Sequence, residues 1–542
     1  MAVSPLNTPF TNMSFTPDVP TVALNPMEYS TGYNVETDTR GIKTVAGDIG
    51  ILSAVPGHQI FVTGGFRDNF NFHFIVATAE GYWYDVSASG ISNITPNLNG
   101  NTNGPLPGYS NNLIITASWN GTILFINDTI NPPFYYAQNY TQIRVYDNSP
   151  DNYVWNYDVT YNNSGNIVPA YNSITAGFLR VYSAPNVGSL LIAGNLTAQT
   201  TSNTTVHLGN TVRWSQSFGL SSGPTTWAPT INNVANQLPV PVRGPVVDGF
   251  PLGGNFYVCS YWDTVVFSPI SYQSTSAPVF GIKLIAQGRG LLNENCWAAT
   301  DTVVYGVDAR DIWSFDGGNF TPIGNQKIKN YFYNNLNSSY ANQVFAINNA
   351  KKNQFEIYYP DLNSTGYCNQ MISYRYDLAI WNPPRQIANA TAAIESPVWN
   401  SSNVANLATR TVVYSAGATA STQLVQKDVG TNFLGSPISS LFERDNIKLT
   451  DAYSKKVQVH RILPEVVGTG NVNIAVGGSN SVGITANYKP TQTFTINTSN
   501  PWVQFDQNDS RVISVQISSN TATDSWQMTS INWQITQVED DR

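Results

Sequence analysis

The chain has 542 residues, with 26 Lys and Arg against 34 Asp and Glu and a formal net charge of −8. A single hydrophobic core stops growing near about 250–300 residues, so this length makes two or more domains the expectation. Charged residues make up only 11% and aromatics 12%, which excludes a charge-rich disordered chain and a protein that grips nucleic acid by its phosphates.

Asparagine alone exceeds a tenth of the residues, so amides and hydroxyls take the place of charge at the surface. Asn-x-Ser/Thr triplets such as Asn93-Ile94-Thr95 are as frequent as that composition makes them and carry no glycosylation signal. The longest apolar runs, such as Leu190-Leu191-Ile192-Ala193-Gly194, fall far short of the roughly 18 residues of a spanning helix, so no membrane span is expected. The opening Met1-Ala2-Val3-Ser4-Pro5 lacks a basic region followed by an apolar one, so no secretory signal is expected either, and synthesis in the cytoplasm is expected.

In chain order, short period-two runs dominate. Leu113 to Trp119 and Thr122 to Asn127 read as paired strands around an Asn120-Gly121 turn. Similar runs follow at Phe178-Leu179-Arg180-Val181-Tyr182, Asn255 to Cys259, Thr302 to Gly306 and Gln354 to Tyr359, separated by Gly, Pro, Asn and Asp clusters. One helix is predicted, over Gln326 to Leu336, where Ile328, Tyr331, Phe332 and Leu336 share a face.

A weak repeat runs through these strands. Tyr82-Trp83-Tyr84-Asp85, Trp155-Asn156-Tyr157-Asp158, Trp313-Ser314-Phe315-Asp316 and Tyr374-Arg375-Tyr376-Asp377 share an aromatic-x-aromatic-Asp ending. In a four-stranded propeller blade, the aromatics would pack between blades and the Asp would accept backbone N–H bonds in the following turn. The expected fold class is therefore all-β. It comprises an N-terminal arm over 1–45 and a β-propeller over 46–452 with inserted loops or modules, the main insertion lying around 148–240. From Tyr453, cleaner alternation in Lys456 to Ile462, Asn471 to Gly477, Arg511 to Ile517 and Ser530 to Ile535 predicts a C-terminal β-sandwich over 453–542.

Chemistry is thin. The four histidines His58, His73, His207 and His460 form no metal-ligand pattern, and Cys259, Cys296 and Cys368 read as buried free thiols. Ser314-Phe315-Asp316-Gly317-Gly318 partly matches the Asp-box turn of sialidase propellers, a structural turn rather than a catalytic group. Lys351-Lys352 and Lys455-Lys456 read as solvated basic pairs. No cofactor and no enzymatic activity are expected.

Four stretches, in order, resemble the tail nozzle proteins of short-tailed bacteriophages, also called tail tubular B or packaged-DNA stabilisation proteins. They are Pro26 to Val35; Glu80 to Asp85 with Leu124 to Asn127 and Asn131 to Tyr136; Gly288 to Leu292 with Asp311 to Gly318 and Ile328 to Phe332; and Leu441 to Arg444 with Arg461 to Pro464 and Trp526 to Arg542. The resemblance implies a structural virion protein of the tail in a ring, a homohexamer, below the portal and adaptor. Such a ring passes double-stranded DNA, helps retain it, and offers docking surface to fibres or spikes. Within Asn148 to Val240, the poorest match, Asn195, Asn203 and Thr205 mark a candidate gate region. The alternative is a glycan-binding adhesin of a phage or bacterium that uses aromatic-rich loops of the same propeller.

Overall fold

The computed structural model describes residues 4–67, 71–98, 103–146, 155, 159–161, 167–169, 171–185, 187–200, 202–229, 233–270, 280–399, 405–417, 421–450, 455–481, 483–505 and 509–539. Strands dominate, as the alternation requires. Five sheets are four-stranded meanders, each antiparallel throughout and built from consecutive strands: blade 1 at 59–93, blade 2 at 116–145, blade 3 at 171–239, blade 4 at 246–287 and blade 5 at 297–322.

Two further blades share one long strand. Ile380–Trp399 pairs with Cys368–Arg375 through its first half and with Ala405–Ala416 through its second. Asn389 sits at positive φ between the halves, φ 53°, a conformation that asparagine tolerates better than branched residues. The first half closes blade 6 and the second opens blade 7, so the described residues make seven blades. The fourth strand of blade 7 is Asp48–Pro56, from the beginning of the chain, antiparallel to Ser421–Lys427. The chain then enters the first strand of blade 1 at Gln59. The ring is thus closed by hydrogen bonds between segments about 370 residues apart, which leaves no open seam.

The predicted elements fare unevenly. Thr116–Asn120 and Ile123–Asn127 pair around Gly121, as the turn signal requires. A helix forms at Lys329–Asn335, with Ile328 and Phe332 fully buried. Its N-terminal N–H groups at Asn330 and Tyr331 donate to Asp18 at 2.7 and 2.8 Å. The insertion expected around 148–240 is instead mostly blade 3, whose strands Tyr171–Ala184, Gly188–Thr200 and Thr205–Trp214 are longer than those of blade 2. Thr, Asn and Gly on its exposed half-strands hide the alternation there.

The expected domain boundaries also shift. Residues 1–45 do not stand apart as an arm: Ser4–Pro9, Val35–Asp38 and Gly41–Thr44 join Lys455–Thr469 and Ser525–Glu539 in a seven-stranded sheet. Thr31–Tyr33 and Ser440–Ile447 join Asn471–Ser479 and Val512–Ser519 in the facing six-stranded sheet. The sandwich is therefore made by both ends of the chain, because the long C-terminal strands need edge partners that 453–542 alone does not supply. The propeller proper runs from Asp48 to Lys427.

One apolar core welds the two parts. It runs from the sandwich residues Phe10, Tyr29, Phe442 and Ile462 into Phe250, Trp313, Phe332 and Trp381 of the propeller side. Phe442 meets Phe10 and Tyr29 edge-on at 5.3 and 5.0 Å. Buried asparagine reinforces the weld: Asn34 donates to the Ser439 carbonyl and accepts from the Gln386 amide, both at 2.8 Å.

Candidate functional site

The first strands of the blades surround a central cavity of about 240 Å³, lined by residues of blades 1, 2, 3, 5, 6 and 7 and the loop before blade 5. Its polar feature is Arg180, in the first strand of blade 3. Arg180 Nε donates to Asp248 of blade 4 at 2.9 Å, and Nη2 donates to Asn295 Oδ1 at 2.8 Å. Nη1 donates to the Ala117 carbonyl of blade 2 at 3.3 Å, and the guanidinium lies 5.4 Å from the Trp297 ring of blade 5. One side chain thereby ties four consecutive blades.

Asp248 is fully buried and saturated with donors. Besides Arg180 it accepts from the Gly249 amide at 2.8 Å, the Asn295 amide at 3.1 Å and Trp297 Nε1 at 2.8 Å. A carboxylate taken out of water needs this degree of pairing to remain charged. Glu294 also lines the cavity. Desolvation, with the nearby Asp248 charge adding to it and Arg180 opposing, pushes its carboxyl up to about 7.

A second concentration of charge joins blade 7, blade 6 and the sandwich. Lys427, fully buried, donates to Glu356 at 2.6 Å and to Asp428 at 3.2 Å. Arg385 bridges Asp48 of the closing strand and Asp428, and Tyr414 donates to Asp48 at 2.9 Å. Lys352 reaches Asp428 at 2.8 Å and Glu36 of the sandwich at 3.0 Å. Lys43 pairs with Glu36 and Asp38 at 3.4 and 3.2 Å. Four cations and five carboxylates of a charge-poor chain thus meet where the propeller closes. Burial opposes ionisation of Glu36, but Lys352 and Lys43 outweigh it and hold the carboxyl down at about 2. Asp428 is likewise held well below the usual carboxylate range, burial being outweighed by Lys352, Lys427 and Arg385.

The residues singled out from sequence fall elsewhere. Asn195 occupies a bulge of the second strand of blade 3, at φ 57°. Asn203 lies in the turn of the same hairpin at φ 61°, and Thr205 begins the next strand. Asn203 and Thr205 lie at the hairpin end of blade 3 and Asn195 midway along its strands, and none of the three lines the central cavity. The four blade aspartates divide. Asp316 accepts from Gly318 and Asn319 amides at 2.8 and 2.7 Å, as a turn aspartate should. Asp85 does not: it lies inside blade 1, where it pairs with Arg67 at 3.0 Å and His73 at 2.6 Å and accepts from Tyr136 of blade 2 at 2.9 Å. Asp377 pairs with Arg375 at 2.6 Å, and Asp158 lies outside the described residues.

Trp83 and Trp313 are fully buried, as blade aromatics should be; Trp155 is also fully buried, but it lies between blades 2 and 3, outside their strands. All three cysteines are free and buried, and burial pushes the Cys259 thiol up to about 12. Among the described residues no group of three His, Cys, Asp or Glu could hold a metal ion. Lys352 belongs to the buried network rather than to a solvated pair. Arg180, Asp248 and Lys427 were missed from sequence; for Arg180 and Asp248 the one signal was a lone charge inside an apolar strand, as in Phe178-Leu179-Arg180-Val181-Tyr182.

The fold and these two charge clusters define a closed β-propeller whose two chain ends build an attached sandwich. No family model and no curated protein matches the chain. Among solved structures it is similar to the WD40 β-propeller domain of Doa1, at 8% identity and a TM-score of 0.33, over 70% of this chain and 96% of that one. It is also similar to the computationally designed Ika8 protein, at 10% identity and a TM-score of 0.33, over 71% and 99%. The propeller assignment here rests on the chain's own strand pairing.

Proposed function

We propose that this chain is a structural virion protein: a tail nozzle subunit that assembles as a homohexameric ring beneath an adaptor, passes double-stranded DNA and carries fibres or spikes. The observation that supports the reading is where the resembling stretches fall. Tyr29, Trp313, Phe315, Ile328, Phe332, Phe442 and Ile462, drawn from three of the four stretches, all lie in the one core that joins sandwich to propeller. A stiff two-part block suits a ring that bears load. The propeller's own small cavity, tied across by Arg180, is no DNA path; in this reading the conduit is the lumen between subunits. The function is mechanical and electrostatic rather than catalytic.

Imaging the purified protein alone and with phage tail components tests this. Rings of identical copies that stack on an adaptor are expected; a chain that stays monomeric with every tail component overturns the reading. The free protein, at net charge −8, is expected to bind duplex DNA weakly at physiological salt, since each phosphate gripped would add a salt slope of about −0.9. The blade 3 hairpin carrying Asn195, Asn203 and Thr205 remains the proposed gate. Shortening it between the paired residues Thr197 and His207 is expected to leave assembly intact and let filled particles leak DNA. Particles that hold their genome after that change move the gate elsewhere. The adhesin alternative has one feature in its favour, the neighbouring exposed aromatics Tyr261 and Trp262 in blade 4; saturable binding on a glycan array, lost with Trp262→Ala, would favour it.

A further inference from the structure

The central cavity of the propeller, at about 240 Å³, exceeds the volume of about 150 Å³ that suffices to hold benzene, so a compact organic molecule fits inside it. It lies where the first strands begin, as its lining residues Ile60, Ile115, Trp297 and Phe345 show. The turn between the second and third strands of blade 4 carries Tyr261 and belongs to the same end, because the strands of a meander alternate in direction. Lys352, which ties the propeller to Glu36 of the sandwich, lies at the opposite end, in the turn after the first strand of blade 6. The sandwich is therefore tied away from this mouth.

Charge in the cavity is unbalanced. Arg180 and Glu294 are the charged residues of its lining. Arg180 is fully engaged within the protein: Nε and Nη2 hold the two Asp248 oxygens, and its remaining contacts reach Asn295 and the Ala117 carbonyl. Glu294 has no such partner. Among the described residues, the N–H group that reaches its carboxyl is its own backbone amide. The titratable and charged groups that it feels are Asp248 and Arg180, which neutralise each other, with Tyr261 and Cys296 alongside. One carboxylate, once ionised, is thus the net charge of the cavity.

The walls choose the kind of ligand. Phe61, Trp297 and Phe345 line the cavity together with Ile60, Ile347 and Ile394. Such walls offer a hydrated metal ion little in exchange for its water, whereas they suit an apolar organic body. A carboxylate and aromatic rings both attract an ammonium group. An anion finds no free bidentate partner, since Asp248 already occupies the Arg180 guanidinium.

We infer that the central cavity binds a small organic ammonium ion, with its apolar body against the aliphatic and aromatic walls and its N–H groups on the Glu294 carboxylate. Tyr261 stands beside that carboxylate on the mouth side. The inference concerns the interior of one subunit and does not depend on the nozzle ring.

The test is isothermal titration calorimetry on the full chain, with cyclohexylammonium as the probe and cyclohexanol as its uncharged counterpart. At mildly alkaline pH, saturable binding of one cyclohexylammonium per chain is expected, and binding at least about tenfold weaker for cyclohexanol, because the ion pair is lost. Glu294→Gln removes the charge without changing the size of the side chain. It should weaken cyclohexylammonium binding by about the same tenfold factor and leave cyclohexanol binding unchanged. In the wild type, affinity for the ammonium should fall by about tenfold per pH unit below about 7, where the ligand must displace a proton from Glu294, and stay level above; the variant should show no such slope. Absence of saturable binding, equal affinity for the two probes, or affinity indifferent to Glu294→Gln each overturns the inference. Tighter binding of cyclohexanecarboxylate also overturns it and would make the cavity an anion site on Arg180. Tighter binding of Nα-acetyl-lysine amide overturns it in favour of a lysine side chain from a partner protein.

Discussion

Glu294 is the residue whose placement is least comfortable. It shares the cavity with Arg180, but Asp248 already occupies that guanidinium, so desolvation dominates and the carboxyl rises from 4.5 to about 7. A carboxyl raised on folding contributes most at low pH, and that contribution is lost as pH climbs through the folded value. Glu294→Gln should therefore leave stability near pH 4 almost unchanged. It should gain progressively over wild type between about pH 4.5 and 7, and level off above. Urea midpoints at a series of pH values check this; a constant offset at all pH values would mean that Glu294 does not titrate in the cavity. Arg180 and Asp248 are bonded directly to each other. Their charges are mutually satisfied, so they act as a tie between blades rather than as a reactive pair.

At the scale of elements, distant segments finish each other's hydrogen bonding. The seven-residue helix Lys329–Asn335 has no acidic residue in its first turn and no side-chain cap of its own. Asp18, 312 residues away from Asn330, supplies the carboxylate that its first N–H groups need. Asp18→Ala should cost about 0.5–2 kcal/mol, the usual range for losing an N-terminal cap, whereas Asp18→Asn should restore part of it. Chemical denaturation of the two variants separates capping from charge. The closing strand Asp48–Pro56 is a larger case of the same dependence: blade 7 lacks its fourth strand until the start of the chain arrives. Such long-range pairing places ring closure late in folding, since loop entropy opposes it until most of the blades exist.

For the whole molecule, the charge network and the continuous core make propeller and sandwich one cooperative unit. Glu36 belongs to the sandwich and Asp428 to the end of blade 7, and both meet Lys352. Their carboxyls are depressed on folding, so the stability they contribute is present above the ordinary carboxylate range and lost as pH falls below it, towards about 2. Acid unfolding is expected to begin below about pH 4.5 and to take both parts together, read by near-ultraviolet circular dichroism and hydrogen exchange; a sandwich that survives acid while the blades melt would contradict this. Removing residues 1–44 spares the closing strand but takes four strands from the sandwich. The truncated chain should lose the cooperative thermal transition of the propeller as well. An unchanged propeller transition would show that the shared core is dispensable.

Local signals in the sequence were enough for the strand class, the Asn120-Gly121 hairpin, the single helix, the buried blade tryptophans and the turn at Asp316, because each depends on side-chain periodicity or on the chemistry of a few neighbouring residues. The division of Ile380–Trp399 between two blades, the closure of blade 7 by Asp48–Pro56 and the sandwich shared by both chain ends were decided only in the tertiary structure. Each is a pairing between segments far apart, and strand edges carry no record in the sequence of which partner they meet. The same holds for Asp85, whose spacing matched a turn aspartate while its actual partners, Arg67, His73 and Tyr136, come from neighbouring strands and the next blade. Arg180 and Asp48 were visible as charges standing alone among uncharged neighbours, whereas Lys427 sits beside Asp428 in a largely polar strand. That each would find its counter-ion across a blade boundary followed from the closing of the ring, because a charge that burial strips of water keeps its ionised form only where the fold brings an opposite charge within bonding distance.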